Sequence, residues 1–140
     1  MLIKQISVFV ENAPGSLSEV TKALGDNGID MSALSLADTS EFGILRLIVD
    51  KPEEGKKILN EAGIVVRVTD VLSLTMEDAP GGTLGVLRLL AESGISVEYM
   101  YAFAGKESGK AFMIIQAEEL EAAEGILRRN GFRQAEIEGI

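Results

Sequence analysis

Apolar positions along this chain switch between a period of two and a period near 3.6, and the order of the two rhythms occurs twice. Residues 5–10 mix β-branched and apolar side chains and stop at Asn12-Ala13-Pro14-Gly15, the mark of a strand running into a turn. Leu17, Val20 and Leu24 then keep helical spacing, and Gly28 stands where a helix end wants a left-handed residue. Two strands are predicted at 30–37 and 43–49, joined through Thr39-Ser40-Glu41. A second helix opens with Glu53-Glu54, which suit the positive end of its dipole, and a last strand covers 65–68. The series then restarts with a strand at 72–76, helical spacing at Thr83, Val86 and Leu90, and Gly94. Strands at 96–103 and 110–116 flank a connection at 105–109. A helix opened by Glu118-Glu119 and closed by Arg128-Arg129 leads to a final strand at 134–137.

The residues repeat as well as the rhythm. Glu11-Asn12-Ala13-Pro14-Gly15 returns as Glu77-Asp78-Ala79-Pro80-Gly81, 66 positions on. The same offset pairs Val20 with Val86, Leu24 with Leu90, Gly28-Ile29 with Gly94-Ile95, and Gly43 with Gly109. Near the end of each copy Ile58-Leu59 and Gly63 match Ile126-Leu127 and Gly131 at an offset of 68, a two-residue insertion. An internal repeat of this kind decides the architecture.

Each copy reads β-α-β-β-α-β, the split βαβ or ferredoxin-like order, with two helices on one face of an antiparallel sheet. The predicted class is α+β, with one unit in residues 1–70 and a second in 71–140. Residues 67–72 hold no Pro, Gly or Ser, so the expected arrangement is two units packed side by side, most simply with about eight strands.

Composition narrows the chemistry. Apolar residues make up 46% and charged residues 25%, enough for an ordered core. A net charge of −9 repels phosphate backbones and anionic lipid, which argues against nucleic-acid and membrane partners. No apolar run approaches the roughly 18–20 residues of a membrane span, and residues 1–5 lack a signal-peptide pattern, so a cytoplasmic protein is expected. With no His and no Cys, imidazole bases, thiol nucleophiles and the common zinc ligands are all missing.

The strongest local signal is Asn12-Ala13-Pro14-Gly15-Ser16-Leu17. Glycine lets the backbone turn sharply, and the first amides of the following helix lack intrahelical partners and carry its positive dipole end. That combination suits a carboxylate. It also suits a plain capped helix in which Asn12 and Asp78 stabilise only their own turns.

This turn, its apolar helix and the Gly28-Ile29-Asp30 that follows resemble the ACT domain, a regulatory module of amino-acid metabolism, and the likeness covers both copies. Stretches such as Glu41-Phe42-Gly43-Ile44-Leu45-Arg46 and Glu98-Tyr99-Met100-Tyr101 resemble free-standing tandem ACT proteins. The resemblance implies an effector amino acid at an interface between domains, touching the Pro-Gly turn and the polar residue that starts the second strand. Carried onto this chain, those positions are Asn12, Ala13, Pro14, Gly15, Ser16 and Leu17 with Asp30 and Met31. In the second copy they are Asp78, Ala79, Pro80, Gly81, Gly82 and Thr83 with Ser96. Asp30, Asp78 and Ser96 depart from the family's asparagines, and the two acids favour a ligand's ammonium. Gly82-Thr83 replaces bulkier apolar residues, leaving either room for a ligand side chain or a looser helix start.

Arg46 interrupts an apolar run, placed either to hold a carboxylate bidentately or to pair with an acid such as Glu98. Tyr99 and Tyr101 share a strand face, as core residues or as a pocket wall. The acidic cluster at 118–124 reads as a solvated helix face. The resemblance therefore implies a non-catalytic sensor that binds a free amino acid between its units or between the chains of a homodimer, without cofactor or metal. The alternative is a regulatory subunit docked on an amino-acid biosynthetic enzyme, like the small subunit of acetolactate synthase. A stand-alone enzyme using Asp30, Asp78 and Glu98 as acid–base groups is the third reading, although nothing in their spacing assigns carboxylates to different tasks.

Overall fold

The computed structural model describes residues 1–38, 41–105 and 107–137. Thr39-Ser40 of the first expected hairpin connection and Lys106 of the second lie outside the described residues. The elements are β1 (Leu2–Glu11), α1 (Ser16–Asp26), β2 (Met31–Asp38), β3 (Phe42–Val49), α2 (Pro52–Glu61), β4 (Val66–Glu77), α3 (Leu84–Glu92), β5 (Val97–Ala104), β6 (Lys110–Ala117) and α4 (Leu120–Arg129). The chain is α+β, its βαββαβ order runs twice, and two compact units follow from it. One comprises Lys4–Thr69 with Ile137, the other Met1–Ile3 with Asp70–Glu136.

In the first unit the strand order is β2-β3-β1-β4. Ile6 of β1 stands opposite Leu47 of β3 and Glu11 opposite Phe42, while Met31 of β2 opposes Val49 and Asp38 opposes Gly43. Alternation sends Ile6, Val8, Val10, Leu45, Leu47 and Val49 to one face, where Val20, Leu24 and Leu59 of the two helices cover them. The second unit runs β4-β6-β5, with Leu72 opposite Ile115 and Glu77 opposite Lys110. Its core joins Leu72, Leu74, Met113 and Ile115 to Val86, Leu90, Ala123 and Leu127, and Met1 is part of it.

The predicted helix ends hold: Gly28 and Gly94 follow α1 and α3 at φ 71° and 72°. Three details differ from expectation. The predicted strands 65–68 and 72–76 are one twelve-residue strand, β4, because residues 67–72 carry no residue that breaks pairing. Residues 134–137 form no assigned strand, yet Thr75 donates its amide to Arg133 at 2.9 Å and Ala135 donates to Ser73 at 3.4 Å. They share that border of β4 with the chain start, where Ser73 donates to the Met1 carbonyl at 2.8 Å. The about eight expected strands thus become six among the described residues. Finally, Thr83 precedes α3 instead of opening it.

Candidate functional site

The turn after β1 is held by backbone alone. Asn12 donates its amide to Glu41 at 3.1 Å, Ala13 to Glu11 at 2.9 Å, and Ser16 to Ala13 at 3.3 Å. Gly15 takes φ 89°, a left-handed conformation open to glycine and strained for other residues. It is the N-cap of α1, and no side chain caps that helix. Asn12 is therefore not a helix cap. Glu19 donates to Gly15, so the amides of Leu17 and Ser18 keep no acceptor among the described residues.

Leu17 borders a hollow of about 310 Å³, lined also by Val10, Glu11, Asn12, Ala13, Leu36 and Gly43. Leu17 and Leu36 form an apolar wall and are 40% and 49% exposed. Glu11 and Asn12 supply the polar rim, and Gly43 keeps the floor open, since a Cβ there would come within 3.1 Å of Leu36 Cδ1. The hollow can thus offer amides to an anion, an acid and an amide group to a cation, and leucines to an apolar tail. Ser16 borders a different hollow, and exposed Pro14 completes the turn.

Asp30 is exposed and stands at the far end of the sheet of this unit. Met31 beside it is level with Val49, whereas the turn is level with Gly43, six residues or roughly 20 Å away along β3. The Asp30 amide donates to Asp50 Oδ1 at 3.0 Å and its carbonyl accepts from the Asp50 amide at 3.1 Å. Met31 is half-buried against the core. Arg46 sits mid-strand on the face away from the helices, between Ser7 and Ser35.

The second turn differs in its amides. Asp78 donates to Gly109 at 2.9 Å and Gly82 to Ala79 at 2.9 Å, but Leu84, the counterpart of Ser18, donates to Gly81 at 3.0 Å. One amide that is unpaired in the first repeat is thus taken up in the second. Gly81 is left-handed at φ 80°, and the turn residues from Asp78 to Gly81 are exposed. Gly82 offers no room for a side chain: a Cβ would collide with the Glu77 carbonyl. Ser96 and Glu98 are exposed, and Glu98 falls at a register shift between Val97 and Tyr99. Tyr99 and Tyr101 are half-buried on the face that carries the edge-to-face pair Phe103–Phe112, with ring centroids 5.4 Å apart.

Among the described residues no group of three acidic side chains could hold a metal ion, and no helix is long and apolar enough to cross a membrane.

Two tandem ferredoxin-like βαββαβ units with a left-handed Pro-Gly turn in each define the class of protein. The chain belongs to the ACT domain family: the model of an ACT domain pair matches residues 1–136. No curated protein matches it. Among solved structures it is similar to a protein of Bacteroides thetaiotaomicron at 36% identity, covering 94% of this chain and 90% of that one, with a TM-score of 0.89. It shares its fold with the regulatory subunit of aspartate kinase from Thermus thermophilus in ligand-free form. There the identity is 18%, the coverage 92% and 94%, and the TM-score 0.66. The regulatory subunit of aspartate kinase from Thermus flavus gives 18%, the same coverage and a TM-score of 0.63.

Proposed function

We propose that this chain is a non-catalytic regulatory module that senses a small free amino acid at the turn of its first repeat. One observation carries the reading: Leu17, whose amide and that of Ser18 after it keep no acceptor among the described residues, lines a hollow with an apolar wall and an acidic rim. The effector's carboxylate meets those amides, its ammonium meets Glu11 and Asn12, and its side chain lies on Leu17 and Leu36. Asp30 lies too far along the sheet to touch that ligand in the same unit. In this reading it serves, with Met31, a ligand held by the turn of another copy, so a homodimer is part of the proposal. The second turn, from Asp78 to Thr83, belongs to a second, diverged site, and Ser96, Glu98 and Tyr99, which stand at the other end of that unit's sheet, serve a ligand of another copy. The regulated partner is a biosynthetic enzyme of amino-acid metabolism, as the fold shared with aspartate kinase regulatory subunits suggests, and such a partner puts the protein in the cytoplasm.

A thermal-shift series against the twenty amino acids tests the reading, because a ligand at about 100 times its Kd stabilises the native state by about 2.7 kcal/mol. At least one amino acid should raise the melting temperature. Asn12→Ala and Asp30→Ala should each weaken that ligand about tenfold or more, through loss of charge-assisted bonds. The empty variants should melt nearly as before, since no side chain caps α1 and the bonds at Asp30 are made by its main chain. Absence of any shift, or lower empty-state stability with binding intact, sinks the proposal.

The dimer is tested separately. β2 is an edge strand, and its Leu34 and Leu36 are 59% and 49% exposed. Light scattering should give twice the chain mass for the native protein and the single mass for Leu34→Glu. A native monomer at high micromolar concentration overturns the assembly.

A further inference from the structure

The two repeats hold a second pair of matching hollows whose chemistry has reversed. In the first repeat Val10, Glu11, Ser16, Gly63, Ile64 and Val65 line one of about 450 Å³, together with Glu19 and Phe42. Their counterparts Met76, Glu77, Gly82, Gly131, Phe132 and Arg133 line one of about 240 Å³ in the second repeat, together with Lys110. The first lining has two acids and no cation. The second has one acid and two cations, in a chain of net charge −9. Arg133 stands where the first repeat has Val65, an apolar residue that is itself 65% exposed.

We infer that the second-repeat hollow is a binding site for a small monocarboxylate with a short apolar tail, with Arg133 as the residue that receives the carboxylate. Four features support it. Thr75 fixes the Arg133 backbone to β4 at 2.9 Å, and Thr75 Oγ1 holds the neighbouring Gln134 carbonyl at 3.3 Å, so the side chain springs from an anchored main chain at the hollow. Among the described residues no carboxylate lies within ion-pair distance of Arg133. Lys110 is only 23% exposed and its charge is balanced by Glu77, which leaves the Arg133 guanidinium as the cation of this lining without an ion-pair partner among the described residues. Half-buried Met76 and Phe132 form the wall for the tail.

The far side of Arg133 sets the ligand's charge. It borders another hollow of about 240 Å³ that carries Glu107 and Glu136. Those acids repel a dianion at the guanidinium, while one carboxylate is received bidentately. The site uses none of the residues assigned to the first-repeat effector, so each stands or falls alone.

The test is a ¹H–¹⁵N titration of the full chain with sodium butyrate, against sodium phosphate and sodium chloride at constant ionic strength. Butyrate should give saturable shifts at the Gly82, Lys110, Gly131, Phe132 and Arg133 amides and leave Gly15, Ser16, Gly63 and Ile64 in place. Phosphate should bind more weakly. Arg133→Gln should weaken butyrate at least about tenfold, whereas Arg88→Gln, which removes the same charge from exposed α3, should not. Because the bonds that hold residue 133 are made by its backbone, Arg133→Gln should keep the native spectrum. Non-saturable shifts, tighter phosphate, or equal losses in the two variants overturn the inference.

Discussion

Leu59→Ala and Leu127→Ala are each expected to remove about 2–5 kcal/mol of stability, and each from its own unit. Both leucines are fully buried at matching positions of the second helix of their repeat. Leu59 completes the cluster of Ile6, Leu24 and Leu47, and Leu127 that of Leu72, Leu90 and Met113. Truncation forfeits the transfer energy of the removed atoms and leaves a cavity that a sheet on one side and a helix on the other cannot close. Amide hydrogen exchange locates the loss. In Leu59→Ala protection should fall at Leu45 and Leu47, and in Leu127→Ala at Met113 and Ile115. A loss below about 1 kcal/mol, or a fall in the other cluster, would mean that the two cores are not what holds the units.

The repeat made most of this fold legible. Apolar positions at Val20, Leu24, Val86 and Leu90 marked the buried helix faces, and all four are in the cores. What stayed illegible depends on neighbours distant in sequence. A strand pattern says nothing about which edge it joins, so the packing of Met1 against Leu72 and Leu127 could not be read from residues 1–3. The bond between Arg133 and Thr75 is a backbone contact, which leaves no side-chain signature. The register shifts after Met31 and after Val97 fall at equivalent places in the two repeats, and no turn residue announces either.

The candidate site was legible in part for the same reason. The Pro-Gly turn is local chemistry, and the left-handed Gly15 and Gly81 follow from sequence. That Leu36 and Gly43 complete the first hollow follows only from the pairing of β2, β3 and β1. Asp30 was grouped with the turn through family resemblance, and register separates them within a unit. The second pair of hollows went unseen because their matching walls, Gly63–Val65 and Gly131–Arg133, reach the turns only through backbone bonds to strands distant in sequence, from Phe9 of β1 and from Thr75 of β4.

The exchange of one residue between the two turns should be sharply asymmetric. Gly82→Ser gives the second turn the residue of the first and is expected to cost about 3 kcal/mol, at or beyond the upper end of ordinary overpacking. Its new Cβ would collide with the Glu77 carbonyl and stand 3.1 Å from that of Ala79; both obstacles are backbone, which cannot swing aside as a side chain would. Relief requires breaking the bond from the Gly82 amide to Ala79 or displacing the end of β4, which pairs Glu77 with Lys110. Ser16→Gly, the reverse exchange, removes a half-buried side chain that makes no cap and should cost at most about 1 kcal/mol. Urea denaturation of both variants measures the difference. If Gly82→Ser unfolds within about 1 kcal/mol of the parent, the close approach of Glu77 to Gly82 is not a constraint on the sequence. If it unfolds as expected, glycine at 82 is kept by the path of the backbone, whatever ligand the adjoining hollow takes.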